Sequence, residues 1–365
     1  VQKNKKESRV LVCPLNWGLG HATRCIPLIR SLQQQGTPTA IASDGRSLQL
    51  LQKNFPNLPA FELPAYGISY PTANMAFNIF FKSPRILAAI LREKYYIRQI
   101  MQKWPFTHLL SDNRFGCFHP EANNLFMTHQ FYLPLQPATA INLFLMKKFG
   151  QCWVPDYENT ADSLSGKLSH PAPDNMRVSY IGPLSQFDRT DTNETTQKED
   201  PSLCLALISG PEPQRSKFEK LLIEQIEKTS LKNKKWIIVG GKTESSEQRN
   251  LSKQLAYRSH LNGAELETLI RQAGTVICRS GYTSLMDLLI LRKKALLVPT
   301  PGQDEQEYLA EMFNDKQGFL IRSQEQIDLE KDLPLLDAMP KPPKIPSNLR
   351  PLQKALKNWL NSPTP

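Results

Sequence analysis

The run Asn16-Trp17-Gly18-Leu19-Gly20-His21-Ala22-Thr23-Arg24 sets two glycines, a histidine and an arginine directly after a short apolar stretch. Glycines let backbone N–H groups approach a ligand, and a helix start carries partial positive charge. Such a turn suits a phosphate, or holds His21 over a cleft at the carboxyl end of a sheet. The run lacks the third glycine of a GxGxxG fingerprint, and a tight turn around a structural histidine accounts for it equally well. An imidazole, with an ordinary pKa of about 6.5, takes a proton from a hydroxyl near neutral pH, which makes His21 the favoured general base. Asp112 and Arg114, in Ser111-Asp112-Asn113-Arg114, and His129, in Thr128-His129-Gln130, fall at predicted strand ends; Asp112 and His129 are the alternative bases.

These groups need elements that point them the same way. Arg9–Leu15 reads as a strand, and apolar residues at Ile26, Ile29 and Leu32 mark a helix that stops at Gly36. Thr39–Ser43 is the next strand, so the opening is a βαβ unit with parallel strands. Further strands are predicted at Thr107–Ser111 and Leu125–Thr128. Residues 185–202 are polar with almost no apolar residue between Phe187 and Leu203, and read as a linker. Beyond it strands at Leu203–Ser209, Trp236–Gly240, Thr275–Cys278 and Ala295–Pro299 alternate with helices such as Lys217–Lys228. At the end Leu352, Leu356, Trp359 and Leu360 recur at helical spacing, predicting a terminal helix packed back on the body. The expected division is 1–184, a linker 185–202, 203–346, and a terminal helix and tail 347–365.

With 365 residues, 40% hydrophobic and 22% charged, the chain is large enough for two cores and far from the composition of a disordered protein. No apolar run approaches the roughly 18 residues of a membrane span. The apolar run after the basic first residues is too short for a secretory signal. Six cysteines without a CxxC pair argue against a disulfide framework or a zinc site, so a reducing cytoplasm is expected. Residues 1–180 hold 19 Lys/Arg against 10 Asp/Glu, whereas 181–365 hold 26 against 24. A basic first half suits an anionic partner: nucleic acid, a membrane surface or a phosphorylated substrate.

The second chemical run is Val276-Ile277-Cys278-Arg279-Ser280-Gly281-Tyr282-Thr283-Ser284-Leu285-Met286-Asp287, followed by Ala295-Leu296-Leu297-Val298-Pro299-Thr300-Pro301-Gly302-Gln303-Asp304-Glu305-Gln306-Glu307. It resembles the donor-binding segment of GT-B glycosyltransferases of the MurG type, which transfer GlcNAc from UDP-GlcNAc to a lipid-linked acceptor. In that family a strand ends in a Ser-Gly turn, a helix follows with a carboxylate six residues beyond the glycine, and a proline-ended strand leads to Asp-x-Gln. The resemblance implies an α/β GT-B fold, two Rossmann-like domains facing a central cleft with the C-terminal helix crossing back to the first.

It also implies roles. Arg279, Ser280, Gly281, Tyr282 and Thr283 would meet the diphosphate, Asp287 the ribose, and Asp304 and Gln306 the donor sugar. N–H and hydroxyl donors at a helix start suit oxygens whose charge grows as UDP departs. Ser209, Gly210 and Arg215 stand where the family has a phosphate loop, and Leu261 and Asn262 where its main chain holds the uracil. MurG-like enzymes also place a Gly-x-Gly-His type turn after their first strand, which puts Gly18, Gly20, Thr23, Arg24 and Arg114 on the acceptor side with His21. The chain departs from the family in having Asp287 for the usual Glu and Arg292-Lys293-Lys294 for a Gly-x-Pro. With no DxD motif, transfer with inversion and without metal or other cofactor is expected, the leaving charge being met by helix dipoles, hydroxyls and arginine.

Met75–Trp104 interleaves Phe77, Phe80, Phe81, Leu87, Leu91, Tyr95 and Tyr96 with Lys82, Arg85, Arg92, Lys94 and Arg98, with Glu93 its one acid. This composition suits an interfacial surface that meets anionic lipid and brings a lipid-linked or glycan acceptor to the enzyme, on the inner face of the cytoplasmic membrane. The alternative is a core helix with a solvated basic face. No nucleic-acid module is recognisable, so nucleic acid is not an expected partner. Two rival functions share these features: a non-hydrolysing UDP-sugar 2-epimerase, and a non-catalytic peripheral membrane protein.

Overall fold

Val10 and Val12 turn to one side of their strand and Leu11 and Cys13 to the other, and all four are fully buried. Burial on both faces is what a parallel sheet covered by helices demands. In the computed structural model, which describes residues 7–66, 75–187, 198–243, 245–314, 318–345 and 349–363 (75–85 by backbone alone), these residues form β1 (Val10–Pro14). The chain divides into two compact units, the first holding most of residues 1–188 with 348–365, the second 189–347.

The first unit is built on α1 (Gly20–Gln34), β2 (Thr39–Ser43), α2 (Gly45–Asn54), β3 (Ala60–Glu62), α3 (Met75–Lys103), β4 (His108–Asp112), β5 (Asn123–Met127), α4 (Gln136–Lys147), β6 (Cys152–Val154) and β7 (Val178–Tyr180). Its seven strands lie in the order β3-β2-β1-β4-β5-β6-β7, all parallel. The order reverses between β1 and β4, the switch point at which open α/β sheets gather ligands beyond their strand ends. On one face Val10, Val12, Ile41 and Leu110 pack with Cys25, Ile26 and Ile29 of α1 and Leu51 of α2. On the other, Leu11, Cys13, Ala40 and Leu109 meet Ile97, Ile100 and Met101 of α3.

The second unit comprises β8 (Asp200–Leu207), α5 (Gln214–Lys228), β9 (Lys235–Val239), β10 (Gln248–Asn250), β11 (Leu255–Arg258), α6 (Gly263–Gln272), β12 (Ala273–Cys278), α7 (Tyr282–Ile290), β13 (Ala295–Leu297), α8 (Asp304–Phe313), β14 (Phe319–Ile321) and α9 (Leu329–Ala338). Its strand order is β10-β11-β9-β8-β12-β13-β14, parallel except for the antiparallel edge pair β10 and β11. Here the switch point lies between β8 and β12. Together the two sheets are those of a GT-B fold.

The terminal helix α10 (Arg350–Asn361) belongs to the first unit: Leu352, Leu356 and Trp359 enter the same core as α1. The Trp359 ring meets His108 edge-on at 4.8 Å and Trp153 at 5.6 Å. His108 Nε2 donates to the Trp359 carbonyl at 3.0 Å, which places a proton on that nitrogen. The sequence reading differs from this structure at the linker and in the short strands. Residues 188–197 of the predicted linker lie outside the described residues, but Ser185 and Phe187 on one side are buried and β8 begins at Asp200 on the other. Cys152–Val154, not among the predicted strands, is a strand: Cys152 and Trp153 pair with β5 and all three residues pair with β7.

Trp359→Ala is expected to cost about 3–5 kcal/mol, as truncation of a buried aromatic does, and to lower the urea midpoint of the first unit. Burial lowers the pKa of His108 below its ordinary 6.5, the carbonyl partner only partly offsetting it. The unfolded chain therefore takes up a proton that the native chain resists. Stability should fall as pH drops through about 6.5 and below, and less so in His108→Gln, read by denaturation at each pH.

Candidate active site

The loop from β1 to α1 is held open by its neighbours. Asn16 Nδ2 donates to Asp44 Oδ2 at 2.9 Å, and Asn16 Oδ1 accepts from the Ser47 hydroxyl at 3.2 Å. The approach is so close that a Cβ on Gly45 would meet Asn16 Nδ2 at 2.5 Å, and with φ +49° that position requires glycine. Gly18 forms the loop at φ +89°, and Gly20 begins α1. The Thr23 hydroxyl turns back to the Gly20 carbonyl at 3.0 Å, so Thr23 tightens the first helical turn and does not face solvent.

His21 stands on that turn with its side chain 15% exposed, its Nδ1 at 3.1 Å from Oδ1 of the fully buried Asp112, the last residue of β4. Arg24, one turn on, clamps the same carboxylate: Nε donates to Asp112 Oδ2 at 2.7 Å and Nη2 donates to Oδ1. Nη2 also lies 2.9 Å from His21 Nδ1, and Nη1 lies 2.7 Å from His129 Nδ1. The three candidate bases and Arg24 thus form one cluster at the first sheet's switch point. Burial pushes the Asp112 carboxyl up, but Arg24 and His21 more than reverse this and hold it well below the usual carboxylate range. Asp112 is ionised at any working pH, and so is an orienting group for His21 rather than a proton acceptor itself. The His21 pKa is lowered, first by burial and then by Arg24 and His129, against the opposing pull of Asp112.

Arg114 is not on an acceptor surface. Its guanidinium is fully buried, donating to Glu93 through Nε, to Asp44 Oδ1 at 2.7 Å through Nη1 and to the Pro64 carbonyl at 2.9 Å through Nη2. Glu93 Oε2 accepts from the Tyr66 hydroxyl at 2.9 Å and from Gly116 N at 2.6 Å. The role assigned from sequence is corrected to a structural one: Arg114 ties α2 and α3 to the exit of β4. Its signal was present, since Glu93 is the one acid in a basic helix and is buried. A second polar cluster is also structural: Asp156 Oδ1 takes the N–H groups of Tyr157 and Leu164, its Oδ2 those of Ser165 and the Ser163 hydroxyl.

In the second unit the exits of β8, β12 and β13 come together. Gly210, at φ +104°, turns the chain after β8, where only glycine is unstrained, and a Cβ there would lie 3.8 Å from Thr300 Oγ1. Ser209 beside it is exposed. Gly281 caps α7, whose first turn bears no acid, so the N–H groups at Tyr282 and Thr283 keep the positive end of the helix dipole. The Ser280 hydroxyl donates to the Gln306 carbonyl at 2.8 Å, and Gln306 Oε1 accepts from Thr300 N at 2.9 Å, tying the start of α7 to that of α8. Asp304 opens α8 and is exposed, and Asp287 is buried on α7.

Two arginines predicted to touch the donor are structural instead. Arg279 is buried and donates to the carbonyls of Val298, Pro299 and Gln214, with its guanidinium 4.1 Å over the Phe218 ring. Burial lowers its pKa to about 10. Arg215 donates to the Gly240 carbonyl at 2.9 Å and pairs with Glu212. Asn262 caps α6, its Oδ1 accepting from Glu265 N at 2.9 Å. Sequence reading missed Gln214 and Thr300. Gln214 Oε1, Arg279 Nε and Thr300 Oγ1 are buried without a hydrogen-bond partner in the protein. Among the described residues, no three His, Cys, Asp or Glu side chains are grouped to hold a metal ion.

The two sheets with these strand-end sites are the architecture of GT-B glycosyltransferases. The chain superposes on the kitacinnamycin glycotransferase with a TM-score of 0.59 at 12% identity, covering 97% of this chain and 95% of that one. The spinosyn forosaminyltransferase SpnP gives 0.57 at 14% identity over 98% and 96%, and the spinosyn rhamnosyltransferase SpnG, complexed with thymidine diphosphate, 0.58 at 12% over 97% and 92%. Residues 213–349 match the glycosyltransferase family 28 C-terminal domain. No curated protein matches the chain.

Arg114→Met would leave Glu93 and Asp44 buried beside each other without their cation. A loss of about 3–5 kcal/mol is expected, read as a lowered urea midpoint, whereas Arg92→Met on the exposed side of α3 should change it little.

Proposed function

We propose that the chain is a glycosyltransferase of the MurG type, which moves GlcNAc or another hexose from a UDP-sugar to a hydroxyl of a lipid-linked or cell-envelope acceptor. The observation that carries this reading is the contact of His21 Nδ1 with the buried, ionised Asp112, in a chain whose second unit bears a family 28 domain. His21 Nε2 takes the proton of the acceptor hydroxyl, while Asp112 holds the opposite nitrogen and stabilises the imidazolium that forms. The acceptor oxygen attacks the anomeric carbon from the face opposite the diphosphate, the bond to the diphosphate oxygen breaks, and the configuration inverts. The charge gathering on UDP is met by the N–H groups at the start of α7 and by the polar groups around Gln214 and Thr300, without a metal. Asp287 holds the ribose, and Asp304 and Gln306 hold the sugar.

The acceptor side of this reading rests on an apolar surface with cations around it. Leu87, Leu91 and Tyr95 follow one another at i, i+4 and i+8 on α3 and are exposed, as are Tyr96, Arg92, Lys94 and Arg98. Phe144, 73% exposed, and Ile141 lie on α4, and Lys148 just beyond it has its pKa lowered by burial and by Lys94 of α3. The inner sides of α3, at Ile90 and Ile97, are buried. No described helix is long and apolar enough to cross a membrane. The surface suits binding at an anionic lipid face, and supports the reading of a peripheral protein on the cytoplasmic side of the membrane.

Calorimetric titration with UDP, UDP-GlcNAc, UDP-glucose, thymidine diphosphate and GDP-mannose, without and then with magnesium, tests the donor. UDP and one UDP-sugar should bind without metal, and Asp287→Ala should weaken both at least tenfold; no nucleotide binding would end the transferase reading. With the donor in hand, His21→Ala should lower kcat by about 10²–10⁴ and leave donor affinity unchanged. Vesicles containing phosphatidylglycerol should co-sediment the protein, with Leu91→Ser/Phe144→Ser and high salt each releasing it. Equal binding to zwitterionic vesicles would remove the electrostatic part of the proposal.

A further inference from the structure

We propose that Arg24 is a positioning residue for the acceptor-side base: by clamping Asp112 across both oxygens and holding His129 as an acceptor, it fixes the carboxylate against His21 and supplies the counter-charge that a lone His–Asp pair would draw from the imidazole. The inference deepens the reading of His21 as base and rests on it.

His21 and Arg24 are three residues apart on α1, so one helical turn presents both to the exit of β4. Arg24 is 2% exposed and Asp112 not at all, so this ion pair has no water to share its charge. A guanidinium carries no acceptor lone pair. At 2.7 Å from Arg24 Nη1, His129 Nδ1 therefore accepts; Arg24 Nη2, 2.9 Å from His21 Nδ1, gives an N–H to Asp112 Oδ1, and the His21 Nδ1 proton is directed to the same oxygen at 3.1 Å. Asp112 Oδ1 is shared between Arg24 and His21, while Oδ2 faces Arg24 Nε at 2.7 Å and the Cys25 thiol at 3.6 Å. Asn113 Nδ2 lies 3.3 Å from Oδ1. These are the groups that face His21 or its carboxylate: Arg24 and Cys25 from α1, Asp112 and Asn113 from the exit of β4, and His129 from the exit of β5. The burial of Cys25 and the charge of Asp112 push its thiol well up, so it stays protonated.

In an isolated pair, a buried carboxylate with no other cation recruits a proton onto its histidine, and a protonated histidine is no base. Here Arg24 already satisfies the carboxylate, so Asp112 orients the imidazole without keeping it charged. The pKa of His21, lowered by burial with Arg24 and His129 adding to the effect and Asp112 opposing it, agrees with this geometry. The sign follows directly. With Arg24 removed, Asp112 keeps its charge and loses its cation, His21 binds its proton more tightly, and the free base appears only at higher pH.

The test is a pH titration of protein labelled with ¹⁵N in its imidazoles, for the wild type, Arg24→Met and Arg24→Lys. In the wild type, the His21 midpoint should lie below the ordinary 6.5, and His129 should show a bare Nδ1 at neutral pH. Arg24→Met should move the His21 midpoint up by about one unit or more and carry the acid limb of kcat/KM with it, so that activity lost at pH 7 returns above pH 8. Arg24→Lys, which keeps the charge but not the two-pronged grip, should fall between. A uniform loss of kcat with an unmoved midpoint would overturn the proposal, as would a proton on His129 Nδ1 in the wild type, which needs no variant to fold. If His21→Ala retained turnover, the reading of His21 as base would fail while the titration still reported on Arg24. If His21→Ala were inactive and the midpoint stayed put in Arg24→Met, only the Arg24 proposal would fail.

Discussion

Two opposite charges two residues apart, Asp112 and Arg114, leave β4 at the centre of the first sheet, and neither has access to water. An unpaired ion in such a place costs several kcal/mol, so each must find its counter-ion within the protein. Asp112 finds Arg24 on α1; Arg114 finds Asp44 at the start of α2 and Glu93 in the middle of α3. Three helices are therefore fixed to one strand end by charge as well as by packing. The turn that separates the two residues, Asn113 at φ +59°, sends them to different partners. His21 takes its place from this arrangement, because the helix that carries it is held by Arg24.

The second unit answers the same demand with dipoles instead of carboxylates. Arg279 leaves β12 buried, and carbonyl oxygens of Val298, Pro299 and Gln214 receive it. Carbonyls neutralise a guanidinium only partly, which agrees with a pKa lowered to about 10 by burial. The start of α7 and the exits of β8 and β13 carry N–H groups and hydroxyls, a polar character suited to an anion.

Much of the frame was legible in the sequence because central parallel strands are apolar on both faces. Thr39–Ser43 was placed to the residue, and most others within two or three. Strands of three or four residues at or toward the sheet edges, such as Ala60–Glu62, Val178–Tyr180 and Phe319–Ile321, have too few residues for a period to register. The His21 loop was legible from its glycines, and the convergence of His21, Asp112 and His129 was anticipated only as a set of alternatives. Arginine was the least legible type. Arg24, Arg114, Arg215 and Arg279 lie in or beside loop motifs and resemble ligand contacts. What each does depends on a partner such as Asp112, 88 residues from Arg24, or on a carbonyl that no side chain announces.

The fate of those charges also changes what the basic first half means. Among the described residues up to 180, Asp44, Glu93, Asp112 and Asp156 are buried, but only Arg24 and Arg114 of the cations. The interior thus withdraws acids preferentially from contact. Both buried arginines are spent on three of those acids, and Asp156 is satisfied by N–H and hydroxyl groups. A partner touching this unit meets a surface more basic than the residue count. Over α3 the cations Arg92, Lys94 and Arg98 stand among Leu91, Tyr95 and Tyr96, while the one acid of the segment, Glu93, faces inward to Arg114. The residue that would have neutralised this face is the one that holds the helix in place, so the same ion pair that ties α3 to the exit of β4 leaves α3 positive outside.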